Sequence, residues 1–291
     1  MIWLGLSILF SSILYVIFKL FTRFKVNTLQ AIVVNYAVAT CTGIYMSDAP
    51  ISLSAIKDAA WLPWAFLMGL LFISVFNIMA LTAQRNGLSV AAVAGKMSLV
   101  IPVTIGFVVY NETAGWVKIL GICIALLAVF FTTTRTRNAA SKPFEIKNLL
   151  FPGILFLGSG IIDSILKYIE ITFMKPELEA TISATIFCTA LLVGIGFLVY
   201  DYVKNGTRFE FKSILAGIVL GVPNYFSIIF IFKALAANDE ASFVYPVNHV
   251  GTILLSTMLG LLLFKERLQV RNWLGILLAV AAISLIAFAK A

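Results

Sequence analysis

The chemistry of this chain is concentrated in a few charged and polar residues set inside long apolar runs. Asp163 falls well inside one run with Lys167 one helical turn further on, and Lys96 and His249 sit inside two others. A charge at mid-bilayer costs at least about 2.5–3.5 kcal/mol on insertion scales, so each needs a partner or a role. Asp163 and Lys167 can share a helix face and neutralise each other. The alternative is a proton or cation relay, or an anchor for a charged solute. Lys167 is nearer its span end, where the ammonium can snorkel to the interface. Lys96, in Val93-Ala94-Gly95-Lys96, is too deep for that and reads as a cavity-lining cation.

His249 is the only histidine, and it titrates near neutral pH unless shifted. In Tyr245-Pro246-Val247-Asn248-His249 it is either a hydrogen-bonded packing group or a second cavity residue. It has no Cys or acid at ligand spacing, so no metal and no cofactor are expected. Asn77, Asn224, Tyr225, Tyr245 and Asn248 are neutral candidates for hydrogen bonding to cargo, and Asn35 and Tyr36 are weaker ones. Pro246 can interrupt helical hydrogen bonding and expose a carbonyl, and Pro102 and Pro223 can do the same or merely kink.

The elements that must position these groups are membrane spans. The 291 residues are 61% hydrophobic and only 12% charged, against roughly 25% in soluble domains. Mean hydropathy is +1.03. The net charge of +8 does not indicate nucleic acid, because Lys and Arg sit mostly in short connections between apolar runs. Cys41, Cys123 and Cys188 fall inside apolar segments and read as small hydrophobes. The first twenty residues lack a basic leader and read as the first span.

Runs long enough to cross about 30 Å of hydrocarbon lie near 2–21, 29–46, 62–83, 88–109 and 115–133. A second set lies near 149–169, 179–200, 213–236, 241–263 and 270–289. That predicts an all-α polytopic membrane protein of ten transmembrane helices, since open sheets cannot satisfy their backbone in lipid. The division is an N-terminal repeat at 1–133, a polar basic linker at 134–148 and a C-terminal repeat at 149–291. All five Trp fall at predicted span ends, where an amphipathic indole favours the interface. Small residues such as Gly217 and Gly221 permit close helix approach.

Residues 77–122 and 231–276 match at an offset of 154: Ala80-Leu81-Thr82-Ala83-Gln84 lines up with Ala234-Leu235-Ala236-Ala237-Asn238. Five helices per copy is odd, so the two copies enter the membrane from opposite faces as inverted-topology repeats. The same offset sets Gly95 against His249. Glu112 and Glu266, each followed nine residues later by a glycine, recur at the turns before the fifth and tenth helices. An acid there can accept amide hydrogen bonds at a helix's positive end, a structural or gating role.

Phe264-Lys265-Glu266-Arg267-Leu268 with Asn272-Trp273-Leu274-Gly275-Ile276, and Tyr110-Asn111-Glu112-Thr113 with Gly115-Trp116 and Gly121-Ile122, carry a family resemblance. Over essentially its whole length the chain resembles an EamA-type member of the drug/metabolite transporter superfamily. The resemblance implies a small-molecule carrier working by alternating access, often an exporter of amino acids or metabolites. It also implies cytoplasmic termini, whereas the base-rich connections after the odd-numbered helices put both termini outside.

The expectation is therefore a secondary transporter of the cell inner (plasma) membrane, not an enzyme, moving a small polar or amphipathic solute. An amino-acid-like cargo is favoured, because Lys96 and His249 suit a carboxylate; they suit a cation only if Asp163 neutralises Lys96. Export coupled to protons is the expected mechanism. The expected partners are the solute and membrane lipid, as monomer or homodimer. The alternatives are a membrane enzyme acting on lipid, a channel, or a non-transporting scaffold.

Overall fold

The computed structural model describes residues 2–46, 56–109, 115–133, 147–173, 178–236 and 241–288. The described elements are helical. In order they are α1 (Ile2–Arg23), α2 (Thr28–Tyr45), α3 (Leu62–Asn86), α4 (Leu88–Lys96), a 3-10 turn (Met97–Leu99), α5 (Val100–Val109), α6 (Trp116–Thr133), α7 (Lys147–Phe173), α8 (Glu179–Asn205), α9 (Phe211–Ala236), α10 (Ala241–Phe264) and α11 (Val270–Phe288).

Six spans among the described residues are long and apolar enough to cross a membrane: Ile2–Arg23, Leu62–Asn86, Leu149–Ile169, Ala180–Asn205, Phe211–Ala234 and Val247–Phe264. Shorter apolar helices cover Leu88–Pro102, Ile119–Ala128 and Val270–Leu285. The run expected at 88–109 is not one helix. Pro102 has no amide hydrogen for the Ser98 carbonyl and its ring crowds that turn, and the chain tightens to 3-10 geometry over Met97–Leu99. Pro223 leaves α9 unbroken, and α10 likewise runs from 241 to 264 past position 246. The interruption is thus at Pro102, not at Pro246. The linker expected at 134–148 lies outside the described residues up to 146.

The chain folds into two compact units. One comprises Met1–Leu20, Ile78–Ile161 and Phe226–Ala291; the other comprises Phe21–Asn77 and Ile162–Tyr225. Each draws on segments before and after residues 134–148, so the packing units do not follow the division expected from the sequence.

In the first unit α6 packs along α11, and α10 packs on α4 and α11. Its core includes Val93, Met97, Ala125, Ala128, Ile253, Ile276, Ala279 and Ala282. Between α6 and α11 the buried stripe is rich in alanine, Ala125, Ala128, Ala279 and Ala282, with Ile276 and Ile283 beside them, while Leu120, Leu126, Leu127, Leu274 and Leu277 face outward. Small inside and large outside is the arrangement expected when lipid, not water, is the surrounding solvent. Trp116 at 86% and Val270 at 85% exposure open these two helices. An apolar surface of this kind needs a covering phase in a soluble protein.

In the second unit α2 packs along α8, and a separate core with Trp61, Met68, Ile169, Ile182 and Ile186 joins α3, α7 and α8. Gly217 and Gly221 bring α9 onto α2. A Cβ on Gly221 would stand 2.6 Å from the Val38 Cβ and 2.9 Å from the Asn35 carbonyl oxygen. Only a hydrogen fits at that crossing, the close approach expected from the Gly217–Gly221 spacing.

Candidate functional site

The site residues of the first unit gather at the two ends of α4. At its C-terminal end the 3-10 turn diverts the Val100 amide to the Met97 carbonyl. In an α-helix that amide would bond to the Lys96 carbonyl. The Lys96 oxygen instead accepts a hydrogen bond from His249 Nδ1 at 2.8 Å. A carbonyl has no proton to give, so Nδ1 carries the hydrogen and neutral His249 holds its lone pair on Nε2. His249 is thus a bracket from α10 onto a broken helix.

Beside it, Asn248 Nδ2 donates to Ser7 Oγ at 2.9 Å, and Ser7 Oγ donates to the Ser227 carbonyl at 3.2 Å. This chain ties α10 to α1 and α9. Gly95 lies under Tyr15, whose hydroxyl would be 3.0 Å from a Cβ there. Lys96 itself is half-buried.

At the N-terminal end, α3 and α4 are separated by Gly87 at φ 108, a backbone region that favours glycine. Helix ends leave carbonyls on one side of such a break and amides on the other without intrahelical partners. Both sets are met by side chains here. Lys19 Nζ donates to the carbonyls of Ala83 at 3.1 Å and Gln84 at 3.4 Å, at the negative end of α3. Glu266 Oε1 accepts the Leu88 amide at 2.8 Å, at the positive end of α4. Lys19 and Glu266 lie 3.7 Å apart, with side chains 22% and 13% exposed.

Each charge faces the helix end of opposite sign and also its counter-ion. The carboxylate fits because Gly87 and Gly260 carry no Cβ, which would come within 3.0 and 2.8 Å of its oxygens. The Glu266 amide bonds back to the Gly260 carbonyl at 3.1 Å, which fixes the turn that presents it. Four segments, α1, α3, α4 and the α10–α11 turn, meet in this clasp.

The comparisons with known proteins bear on the fold alone. No family model matches the chain. An uncharacterized protein of Haemophilus influenzae is 29% identical over 284 residues, spanning 95% of this chain and 94% of its own length. A protein of known crystal structure superposes with a TM-score of 0.63 at 14% identity, covering 98% of this chain and 94% of that one. The helical fold therefore recurs over nearly the full length.

The sequence candidates separate between the units. Lys96, Asn248, His249 and Glu266 belong to the first, whereas Asn77, Asp163, Lys167, Asn224 and Tyr225 belong to the second. Asp163 and Lys167 are half-buried on α7, and no ion pair between them occurs among the described residues. Asn77 Nδ2 donates to the Ile73 carbonyl of its own helix at 2.7 Å. Asn224, Tyr225, Asn35 and Tyr36 are buried, and Tyr36 lies against the rings of Phe76 and Phe187. Glu112 and the side chains of Tyr245 and Pro246 lie outside the described residues. Nothing local in the sequence marks Lys19 as the partner of Glu266. The break it serves was signalled by Asn86-Gly87 between two apolar runs.

Proposed function

We propose that the chain is a secondary transporter of the EamA type, with ten transmembrane helices in two inverted five-helix repeats. It moves a small polar or amphipathic metabolite, amino-acid-like by preference, out of the cell across the inner membrane with proton coupling. The observation that carries this reading is the interruption of a buried helix at Lys96, inside an otherwise apolar helical protein. Broken helices expose backbone groups where they can meet a polar solute, a recurring device of carriers. A half-buried ammonium at that break suits a carboxylate.

The repeat has support in the packing. α6 and α11 begin at Trp116 and Val270, 154 apart, and their buried Ala125, Ala128, Ala279 and Ala282 obey the same offset. α4 against α10 and α2 against α8 also pair segments at that spacing. Self-complementary contact between matched segments is what a pseudo-twofold repeat produces.

Ligand stabilisation tests the binding assignment. Amino acids, nucleosides, sugars and organic cations are screened for a rise in unfolding temperature, first on the wild-type protein and then on Lys96→Ala. A carboxylate-bearing hit is expected, with affinity reduced at least about tenfold in the variant, the scale of a lost charge-assisted hydrogen bond. A hit of unchanged affinity in Lys96→Ala removes that residue from the site.

A further inference from the structure

Two connections of the second unit are hydrogen-bonded into one surface that the transport reading does not use. Gln30 Nε2 donates to the Arg208 carbonyl at 2.9 Å, and Gln30 Oε1 accepts the Glu210 amide at 3.1 Å. The Asn27 amide donates to Ser213 Oγ at 3.0 Å. These bonds hold the α1–α2 connection beside the α8–α9 connection.

Five bases, Arg23, Lys25, Lys204, Arg208 and Lys212, are exposed on the joined surface. Among the described residues two acids stand in the same segments. Asp201 is bonded to Asn205 at 2.6 Å, and Glu210 lies 3.1 Å from Lys212. By contrast, the sequence segments 46–61 and 174–178 carry Asp48, Lys57, Asp58, Lys175 and Glu177, with no basic excess.

Aromatic rings stand among these bases. Phe24, Phe209 and Phe211 are 62%, 66% and 73% exposed. Lys204 Nζ donates to the Tyr200 hydroxyl at 2.8 Å. Bare phenylalanine is unfavourable in water but suits the boundary between headgroups and acyl chains, where Lys and Arg meet lipid phosphates. The apolar spans of α1 and α8 end at Arg23 and Asn205. Exposed Val199 and Val203 carry the apolar surface of α8 up to the patch. That continuity selects lipid over a soluble acidic partner.

We propose that the surface formed by residues 23–27 and 204–212 binds anionic phospholipid, with the bases on the phosphates and the rings at the acyl boundary. The assignment rests on the membrane reading and is independent of what the chain transports.

The test follows the thermal stability of the purified protein in neutral detergent during titration with dioleoylphosphatidylglycerol, dioleoylphosphatidylcholine or inorganic phosphate. Phosphatidylglycerol is expected to stabilise saturably and the other two to have no such effect. The triple substitution Lys25→Gln, Arg208→Gln and Lys212→Gln raises the half-saturating lipid concentration at least about tenfold, while Lys57→Gln leaves it unchanged. Equal stabilisation by phosphatidylcholine, or an unaltered triple variant, overturns the proposal. A phosphate response equal to that of phosphatidylglycerol overturns it as well, assigning the patch to free anions. Should the triple variant not fold, single Arg208→Gln protein must retain fewer phosphatidylglycerol molecules than wild type in native mass spectrometry. Equal retention counts against the surface.

Discussion

Glu266→Ala is expected to lower the stability of the folded protein by about 2–3 kcal/mol, more than any other single change at the α3–α4 break. Two losses add. The Leu88 amide loses its cap, a change that costs roughly 0.5–2 kcal/mol at helix N-termini. Lys19 is left mostly buried beside carbonyls without its counter-ion; the full cost of about 3–5 kcal/mol for a buried charge is reduced because its side chain is 22% exposed. Glu266→Gln separates the two, since an amide oxygen can still accept from Leu88 but carries no charge. Chemical unfolding in detergent should therefore rank wild type above Glu266→Gln and Glu266→Ala last. Equal stability of the two variants would show that the cap contributes nothing. In the transport reading this clasp closes one end of the first unit, so its weakening should also change transport rate.

His249→Ala carries the second large effect, about 2–4 kcal/mol, from a cavity at a residue only 6% exposed and an unsatisfied Lys96 carbonyl. His249→Asn distinguishes these causes. An asparagine Nδ2 can stand in for the imidazole Nδ1–H, so it should recover more than half of the loss, read from the same unfolding measurement. Asparagine as damaging as alanine would mean that the ring's volume, and not the hydrogen bond, holds the break. Binding of the screened ligand should weaken in His249→Ala as well, because the Lys96 backbone would no longer be fixed.

Apolar length and breaker residues made most of the helix ends legible from the sequence. α6 and α11 could be placed to within a residue because Gly-Trp and Asn-Trp open them and long apolar runs follow. The split of 88–109 was less visible. Three prolines inside apolar runs gave equal warning, yet Pro102 breaks its helix while Pro223 leaves α9 intact. At the break before Pro102 the Lys96 carbonyl, left without its helical amide, is taken by His249 from another helix. That support is tertiary and 153 positions away.

Glu266 was legible as an acid capping a helix, but not which helix. The local rule pointed to the one that follows it, whereas it caps α4, 178 positions back. Lys19 could not have been read as its partner, since a lysine four residues from a helix end ordinarily snorkels. The 154 offset sets Gly95 against His249 in the sequence, but alignment of two copies implies no contact between them. What the offset did not reveal is the contact itself, which uses the Lys96 backbone.

Counterflow in proteoliposomes tests the central claim most directly. Vesicles containing the purified protein are loaded with the unlabelled ligand found by stabilisation, then diluted into a trace of the same ligand carrying label. A carrier working by alternating access exchanges one for the other, so label should accumulate transiently above its external concentration and saturate with ligand. Lys96→Ala vesicles should show that overshoot reduced at least about tenfold, in step with the lost affinity. Label that only equilibrates, without overshoot or saturation, would contradict the account and indicate a channel or a non-transporting membrane protein.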